Sequence, residues 1–128
     1  MRLLLDTHAL LWWLAGDAAL SPAARAAIAE ETNAVFVSAA SLWEITTKHR
    51  LAKLVLSAAL LSDLTGVVTD QGFLGLPISL RHAQRAGDLP GPHRDPFDRM
   101  LVAQAILDDL VLVSNEHPFD AYGVVRLW

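Results

Sequence analysis

The fold is decided by the stretch RLLLDTHALLWWLAG at residues 2–16. Residues 2–5 form a short apolar run without alternation, which is typical of a strand buried on both faces of a parallel sheet. Asp6 ends this run, and Thr7 to Ala15 have the composition of a helix that stops at Gly16. A strand that passes through one acid directly into a helix predicts a βα unit.

The same alternation continues along the chain. Further strands are predicted at residues 35–37, within residues 73–78, and at residues 111–113 and 124–127. Helices are predicted from Ser21-Pro22 to Glu31, from Ser38 or Ser41 to about His49, over 57–65, after Ser79, and from Asp95-Pro96 to about Asp109. Strands alternating with helices imply an α/β fold, with a mainly parallel sheet covered on both faces. We expect residues 1–128 to form a single domain.

The composition limits the function. The formal net charge of -4 excludes bulk electrostatic attraction to nucleic acid, so any phosphate contact needs local basic residues or a bound cation. The absence of cysteine excludes disulfides and zinc–thiolate sites. Hydrophobic residues make up 53% of the chain, more than one small core easily hides, which predicts a partner or self-association. Trp12 and Trp13 are adjacent on a helix, so one lies at an interface or both are half-buried at the domain edge.

No segment approaches the roughly 18 uninterrupted apolar residues of a membrane span. The leucine-rich N-terminus resembles a secretion signal, but Asp6 and His8 interrupt it. We therefore expect a soluble, cytoplasmic protein with no membrane contact.

Five acids follow strands or begin helices. Asp6 follows the first strand, Glu44 lies on the helix after the second, Asp95 and Asp98 begin the long helix, and Glu116 follows the fourth strand. In a parallel sheet, sites lie beyond the carboxyl ends of the strands, so these acids can share one edge. Clustered carboxylates repel one another, and their hard oxygen atoms suit Mg²⁺ or Mn²⁺. Such ions activate water and stabilise charge on phosphoryl groups.

Four of these acids also have purely structural interpretations. Asp6 and Asp95 could cap the helices that follow them. Glu44 precedes Lys48 by four residues, which permits an exposed helical ion pair. Glu116 lies in a polar turn and could be a solvated surface residue.

Asp98 is the exception. It shares the apolar stripe of its helix with Leu101, Val102, Ala105 and Ile106, so it points toward the sheet. A carboxylate on that face needs a partner, and a metal ion is the most effective one.

Four segments resemble one known family. LLLDTHALLWW at 3–13, VSAASLWEI at 37–45, HRDPFDRMLVAQA at 93–105 and LVSNEHPFDAYGV at 112–124 are similar to segments of PIN-domain ribonucleases, especially VapC-type toxins of bacterial toxin–antitoxin pairs. The similarity spans essentially the whole chain, in order and at family-like spacing.

This resemblance implies a three-layer α/β/α sandwich and an acidic Mg²⁺ or Mn²⁺ site that cleaves RNA. Asp6 and Asp98 match acids that ligate the metal, and Glu44 matches another acid of the site. Glu116 stands where the family commonly has aspartate, and its longer side chain could act through water. The positions expected to support these acids are Thr7, Asp95 and Ser114.

The resemblance also implies a homodimer and a cognate VapB-type antitoxin. Arg94 and Arg99 flank the predicted site and could hold RNA phosphates, or could be ordinary surface charges. Two other functions fit the same scaffold, namely a metal-dependent DNA nuclease and a catalytically silent binding module. A phosphoacceptor signalling domain fits poorly, because Asp6 stands alone and the only lysines are Lys48 and Lys53.

Overall fold

The computed structural model describes residues 1–128. Five parallel strands form one sheet in the order β3-β2-β1-β4-β5. The strands are β1 (Arg2–Leu5), β2 (Ala34–Ser38), β3 (Leu74–Leu76), β4 (Val111–Val113) and β5 (Arg126–Leu127). The predicted parallel sheet is confirmed.

Seven α-helices and one 3₁₀ helix surround the sheet. They are α1 (Thr7–Ala15), α2 (Pro22–Ala29), α3 (Ala39–Arg50), α4 (Ala58–Ser62), α5 (Leu64–Asp70), α6 (Leu80–Asp88), α7 (Pro96–Leu107) and the 3₁₀ helix His117–Tyr122. Ser38, rather than Ser41, caps α3. The helix predicted over 57–65 is divided at Asp63, whose side chain accepts the Gly66 N–H and thereby begins α5.

Two apolar cores lie on opposite faces of the sheet, which makes the fold a three-layer α/β/α sandwich. Leu3 and Leu5 of β1 enter one core with residues of α1, α2, α3 and α5. Leu4 enters the other with residues of α6, α7 and the 3₁₀ helix. The predicted stripe of α7 is confirmed, since Leu101 and Val102 are almost fully buried against this second core.

The third strand, Leu74–Leu76, lies within residues 73–78 as predicted, and its two ends have local causes. Phe73 donates its N–H to Val68 at the end of α5, so it belongs to the turn before the strand. Pro77 has no N–H to continue the ladder. The 3₁₀ helix was not predicted, because its sequence has no apolar periodicity.

The two adjacent tryptophans are both half-buried. Trp12 stacks on His8 at 5.5 Å between ring centroids and lies 5.7 Å from Trp128. Trp13 packs against Phe73 at 6.2 Å. The interpretation that both lie at the domain edge is therefore confirmed, while a contact with another chain stays a prediction.

The strand order places a crevice beside β1. The chain runs from β1 outward through β2 and β3, then returns to β4 on the other side of β1. At such a switch point the connections leave the two neighbouring strands in opposite directions, and ligands bind there. The Asp6 N–H donates to the Val113 carbonyl at 3.1 Å, which joins the ends of β1 and β4. None of the helices has the length and apolar character needed to cross a membrane.

Candidate active site

Asp6 lies at the switch point, 4% exposed. It caps α1, and its Oδ1 accepts the Ala9 N–H at 2.7 Å. Burial raises the pKa of Asp6, an effect that hydrogen bonding from Ser114 and Ala9 opposes and that the charge of Glu116 increases. The capping role considered for Asp6 is confirmed. Asp6 forms no ion pair within the chain.

Glu44 is buried to the same extent, 4% exposed, but has strong partners. The Thr7 hydroxyl donates to its Oε1 at 2.6 Å, and Ser41 Oγ lies 3.1 Å from that hydroxyl. Lys48 forms an ion pair with its Oε2 one helical turn later, and this hydrogen bond raises the pKa of Lys48. The helical pair considered from the sequence is present, but its carboxylate is buried rather than exposed.

Asp98 lies in the first turn of α7 with its side chain 25% exposed. Burial raises the pKa of Asp98 to about 6, helped by the negative charges of Asp95 and Glu44. His93 partly opposes this shift, since its Nε2 lies 2.9 Å from Asp98 Oδ2. Asp98 is therefore a half-buried carboxylate with two other acids within electrostatic range; the helical stripe predicts its partial burial but not these neighbours.

The remaining acids have simpler surroundings. Asp95 caps α7, and its Oδ1 accepts the N–H groups of Phe97 at 2.8 Å and Asp98 at 3.1 Å. Glu116 is half-buried, and its N–H donates to the hydroxyl of the fully buried Ser114 at 3.0 Å. Ser114 thus links the backbone at Glu116 to the carboxylate of Asp6.

Arg99 is engaged in a way that the sequence did not indicate. Its guanidinium donates to four backbone carbonyls of the segment before α7, those of Ala86, Gly87, Leu89 and His93. These bonds hold that segment against α7, and a phosphate contact by Arg99 stays a prediction. Arg94 is exposed at the loop before α7.

The acids lie one after another along the edge of the sheet and do not converge into one cluster. Asp6 adjoins Thr7, Thr7 contacts Glu44, and Glu44 lies within electrostatic range of Asp98. No group of three or more acidic or histidine side chains converges closely enough to share a metal ion. Glu44 is held by Lys48 and Asp98 by His93. The donor chemistry nevertheless fits a hard divalent cation, since all donors are carboxylate oxygens and burial disfavours the charge on Asp6 and Asp98.

Two residues of this region were missed as functional candidates. His93 contacts Asp98 across Pro96, and a spacing of five residues through a loop gives no periodic signal. Trp43, next to Glu44 in the sequence, is 60% exposed and meets the ring of Phe97 edge-on at 5.0 Å. A tryptophan in an apolar motif predicts core packing, so its exposure was not foreseeable.

Comparison with known families agrees with this architecture. The sequence profile described as "PIN domain" matches residues 3–125. No protein with a curated description matches the sequence closely enough to count as a relative.

Solved structures share the fold at low sequence identity. The structure of VapBC2 from Rickettsia felis bound to a promoter DNA fragment superposes with a TM-score of 0.70 at 15% identity, over 98% of this chain and 97% of the other. FitAcB from Neisseria gonorrhoeae gives 0.57 at 18% identity, over 98% and 96%. A toxin–antitoxin complex from Klebsiella pneumoniae gives 0.51 at 18% identity, over 89% and 86%.

Proposed function

The chain belongs to the PIN-domain family, and from that premise we propose that it is a metal-dependent endoribonuclease, the toxin of a VapBC-type toxin–antitoxin pair. Three sources support the proposal: the four family-like segments, the acids along the carboxyl edge of the sheet, and the fold shared with structures described as VapBC2 and as a toxin–antitoxin complex.

The observation that carries the proposal is the state of Asp6. This carboxylate is buried at the switch point of a parallel sheet and forms no ion pair within the chain. Hydrogen bonds from Ala9 and Ser114 offset only part of the cost of burying this charge, and a bound cation would offset more of it.

We assign metal binding to Asp6 and Asp98, with Glu44 and Glu116 completing or orienting the site. When bound, Mg²⁺ or Mn²⁺ supplies charge stabilisation on the phosphoryl group and lowers the pKa of a coordinated water. The protein's contribution is to position the acids. Thr7 fixes Oε1 of Glu44 by its hydrogen bond.

Two further residues position acids through the backbone. Ser114 sets the distance between the Glu116 backbone and Asp6, and Asp95 fixes the first turn of α7 that carries Asp98. Because the pKa of Asp98 is about 6, this carboxyl is mostly ionised at neutral pH. It therefore needs no proton loss before it binds a cation there.

The partners are part of the same proposal. RNA is the substrate, a VapB-type antitoxin is the inhibitor, the chain forms a homodimer, and the complex acts in the cytoplasm. Exposed apolar side chains such as Val55, 92% exposed, and Leu80, 91% exposed, are consistent with protein partners.

The test is cleavage of total cellular RNA by the purified chain, with Mg²⁺ or Mn²⁺ against EDTA. Asp98→Asn is the variant, and Asp109→Asn is the matched control. Asp109 is exposed and adopts a positive φ of 54°, which asparagine tolerates. We expect discrete metal-dependent cuts from the wild type and from Asp109→Asn, and none from Asp98→Asn.

Cutting that persists in EDTA or in Asp98→Asn contradicts the proposal. Preferential cutting of DNA would favour the DNA nuclease alternative. A folded chain that binds metal but cuts neither nucleic acid would favour the silent binding module.

A further inference from the structure

Both lysines of the chain line the same cavity. This cavity of about 320 Å³ opens beside α1 and α3. Its polar lining consists of Thr7, His8, Glu44, Lys48 and Lys53. Two positive side chains therefore share a cavity with Glu44, one of the proposed catalytic acids, and one of them, Lys48, contacts it.

The position of Lys53 depends on the turn that ends α3. Its N–H donates to the Lys48 carbonyl at 2.8 Å, which brings Lys53 back over the end of the helix. Ala52 between them adopts a φ of 59°, a left-handed conformation that residues with a Cβ rarely adopt. His49 Nδ1 lies 3.1 Å from the Leu54 carbonyl beyond the turn. The left-handed Ala52 thus belongs to the turn that brings Lys53 to the cavity.

Local basic residues would add to a bound cation in attracting RNA, because the chain as a whole is acidic. The net charge is -4, and four acids line the proposed active site, so the molecule as a whole repels a polyanion. Arg99 donates to backbone carbonyls instead. Lys53 is exposed and forms no ion pair. Lys48 is bonded to Glu44 through one of its three N–H donors.

We propose that Lys53 and Lys48 form a subsite for a backbone phosphate of RNA beside the acidic centre. Lys53 supplies the free charge. Lys48 is shared between Glu44 and the phosphate, and so couples substrate binding to one of the acids. This inference rests on the proposed function for its ligand, and neither lysine is needed to bind a metal ion.

The test is binding of a fluorescent single-stranded RNA oligonucleotide in EDTA, where metal-dependent cleavage is absent, across a titration of monovalent salt. The variants are Lys53→Ala and Lys53→Arg. Arg50→Ala is the matched control, because Arg50 is an exposed base at the end of α3 that does not line the cavity.

We expect Lys53→Ala to weaken binding about fivefold at about 0.1 M salt, because each phosphate contact on a single strand contributes a slope of about 0.7 in log K against log salt. The slope should fall by that amount, Lys53→Arg should restore it, and Arg50→Ala should match the wild type. With Mg²⁺ present, Lys53→Ala should raise KM for cleavage and leave kcat nearly unchanged.

The inference is overturned if Lys53→Ala binds RNA like the wild type, if Arg50→Ala loses as much affinity, or if the wild type binds no RNA in EDTA. The two proposals fail separately. Normal lysine-dependent binding without any metal-dependent cutting upholds the phosphate subsite and contradicts the ribonuclease assignment. Metal-dependent cutting that is unchanged in Lys53→Ala upholds the ribonuclease assignment and contradicts the phosphate subsite.

Discussion

Asp6 and Glu44 are equally buried, each 4% exposed, yet the chain treats their charges in opposite ways. Glu44 receives the ammonium group of Lys48 and the hydroxyl of Thr7. Asp6 receives a backbone N–H and a serine hydroxyl, and burial raises its pKa. The protein provides a cationic partner for Glu44 and none for Asp6, and under the function proposed above it is Asp6 that a cation from solution would pair with.

Asp6→Asn should have the largest effect. Asparagine keeps the acceptor for the Ala9 N–H but removes the charge, so RNA cleavage should fall by about three orders of magnitude or more, while stability stays unchanged or rises. Initial cleavage rates and urea unfolding measure the two effects. A variant that cuts within tenfold of the wild-type rate would break the contrast between Asp6 and Glu44.

The pH dependence of stability should be the next largest effect. The folded-state pKa of Asp98 is about 6, above the ordinary value of 3.8, so the folded chain binds this proton more tightly than the unfolded chain does. The stability from that proton is fully present below about pH 4 and is lost as the pH rises through 6, by about 3 kcal/mol. The charged and titratable groups around Asp98 are Asp95, Glu44, His93 and Lys48.

Urea unfolding in EDTA from pH 4 to 8 tests this dependence by comparing the wild type with Asp98→Asn. The variant should gain stability relative to the wild type as the pH rises. If the difference in free energy of unfolding between the two proteins does not vary with pH, the pKa of Asp98 is not raised by folding.

Lys48→Ala should have a moderate effect on stability. Glu44 has two side-chain partners, Thr7 and Lys48, and this variant leaves the buried carboxylate with Thr7 alone. We expect the free energy of unfolding to fall by about 1–2 kcal/mol. This is less than the full value of a buried charged hydrogen bond, because the Lys48 side chain is 37% exposed and solvent screens its charge. Thermal unfolding of this variant beside Arg50→Ala is the measurement. Equal stability of the two variants would mean that Glu44 does not depend on its lysine.

Glu116→Gln should have the smallest effect. Glu116 is half-buried and acts on Asp6 only through its charge, so its loss should slow cleavage about tenfold or less. Kinetics with Glu116→Asp alongside would separate charge from length, since that variant keeps the charge. A loss as large as that of Asp6→Asn would instead indicate direct metal ligation by Glu116.

The sequence predicts the part of this site that depends on strand ends and helix periodicity. Asp6 follows an apolar run, and Asp98 lies on the stripe of α7, so both positions follow from local pattern. The partners of these acids do not follow from it. His93 meets Asp98 through an irregular loop, and Lys53 reaches the cavity through the left-handed Ala52, a conformation that alanine does not signal.

The contacts of Arg99 were also not predictable from the sequence. An arginine beside an acidic motif could hold a phosphate or be an ordinary surface charge, and the sequence does not indicate that its guanidinium donates to carbonyls at the end of α6 and in the loop that follows. Those carbonyls extend from the last turn of α6 into irregular backbone, and no sequence pattern specifies how such a segment turns.

The most direct test of the central claim is a calorimetric titration of Mn²⁺ into the wild type, Asp6→Asn and Lys48→Ala. The account predicts that Asp6→Asn loses binding, because the uncompensated charge is gone. It also predicts that Lys48→Ala binds as tightly as the wild type or more tightly, because a competing positive charge has been removed. Wild-type affinity in Asp6→Asn would contradict the account, since the cation would then not be held by the acid that the chain leaves unpaired.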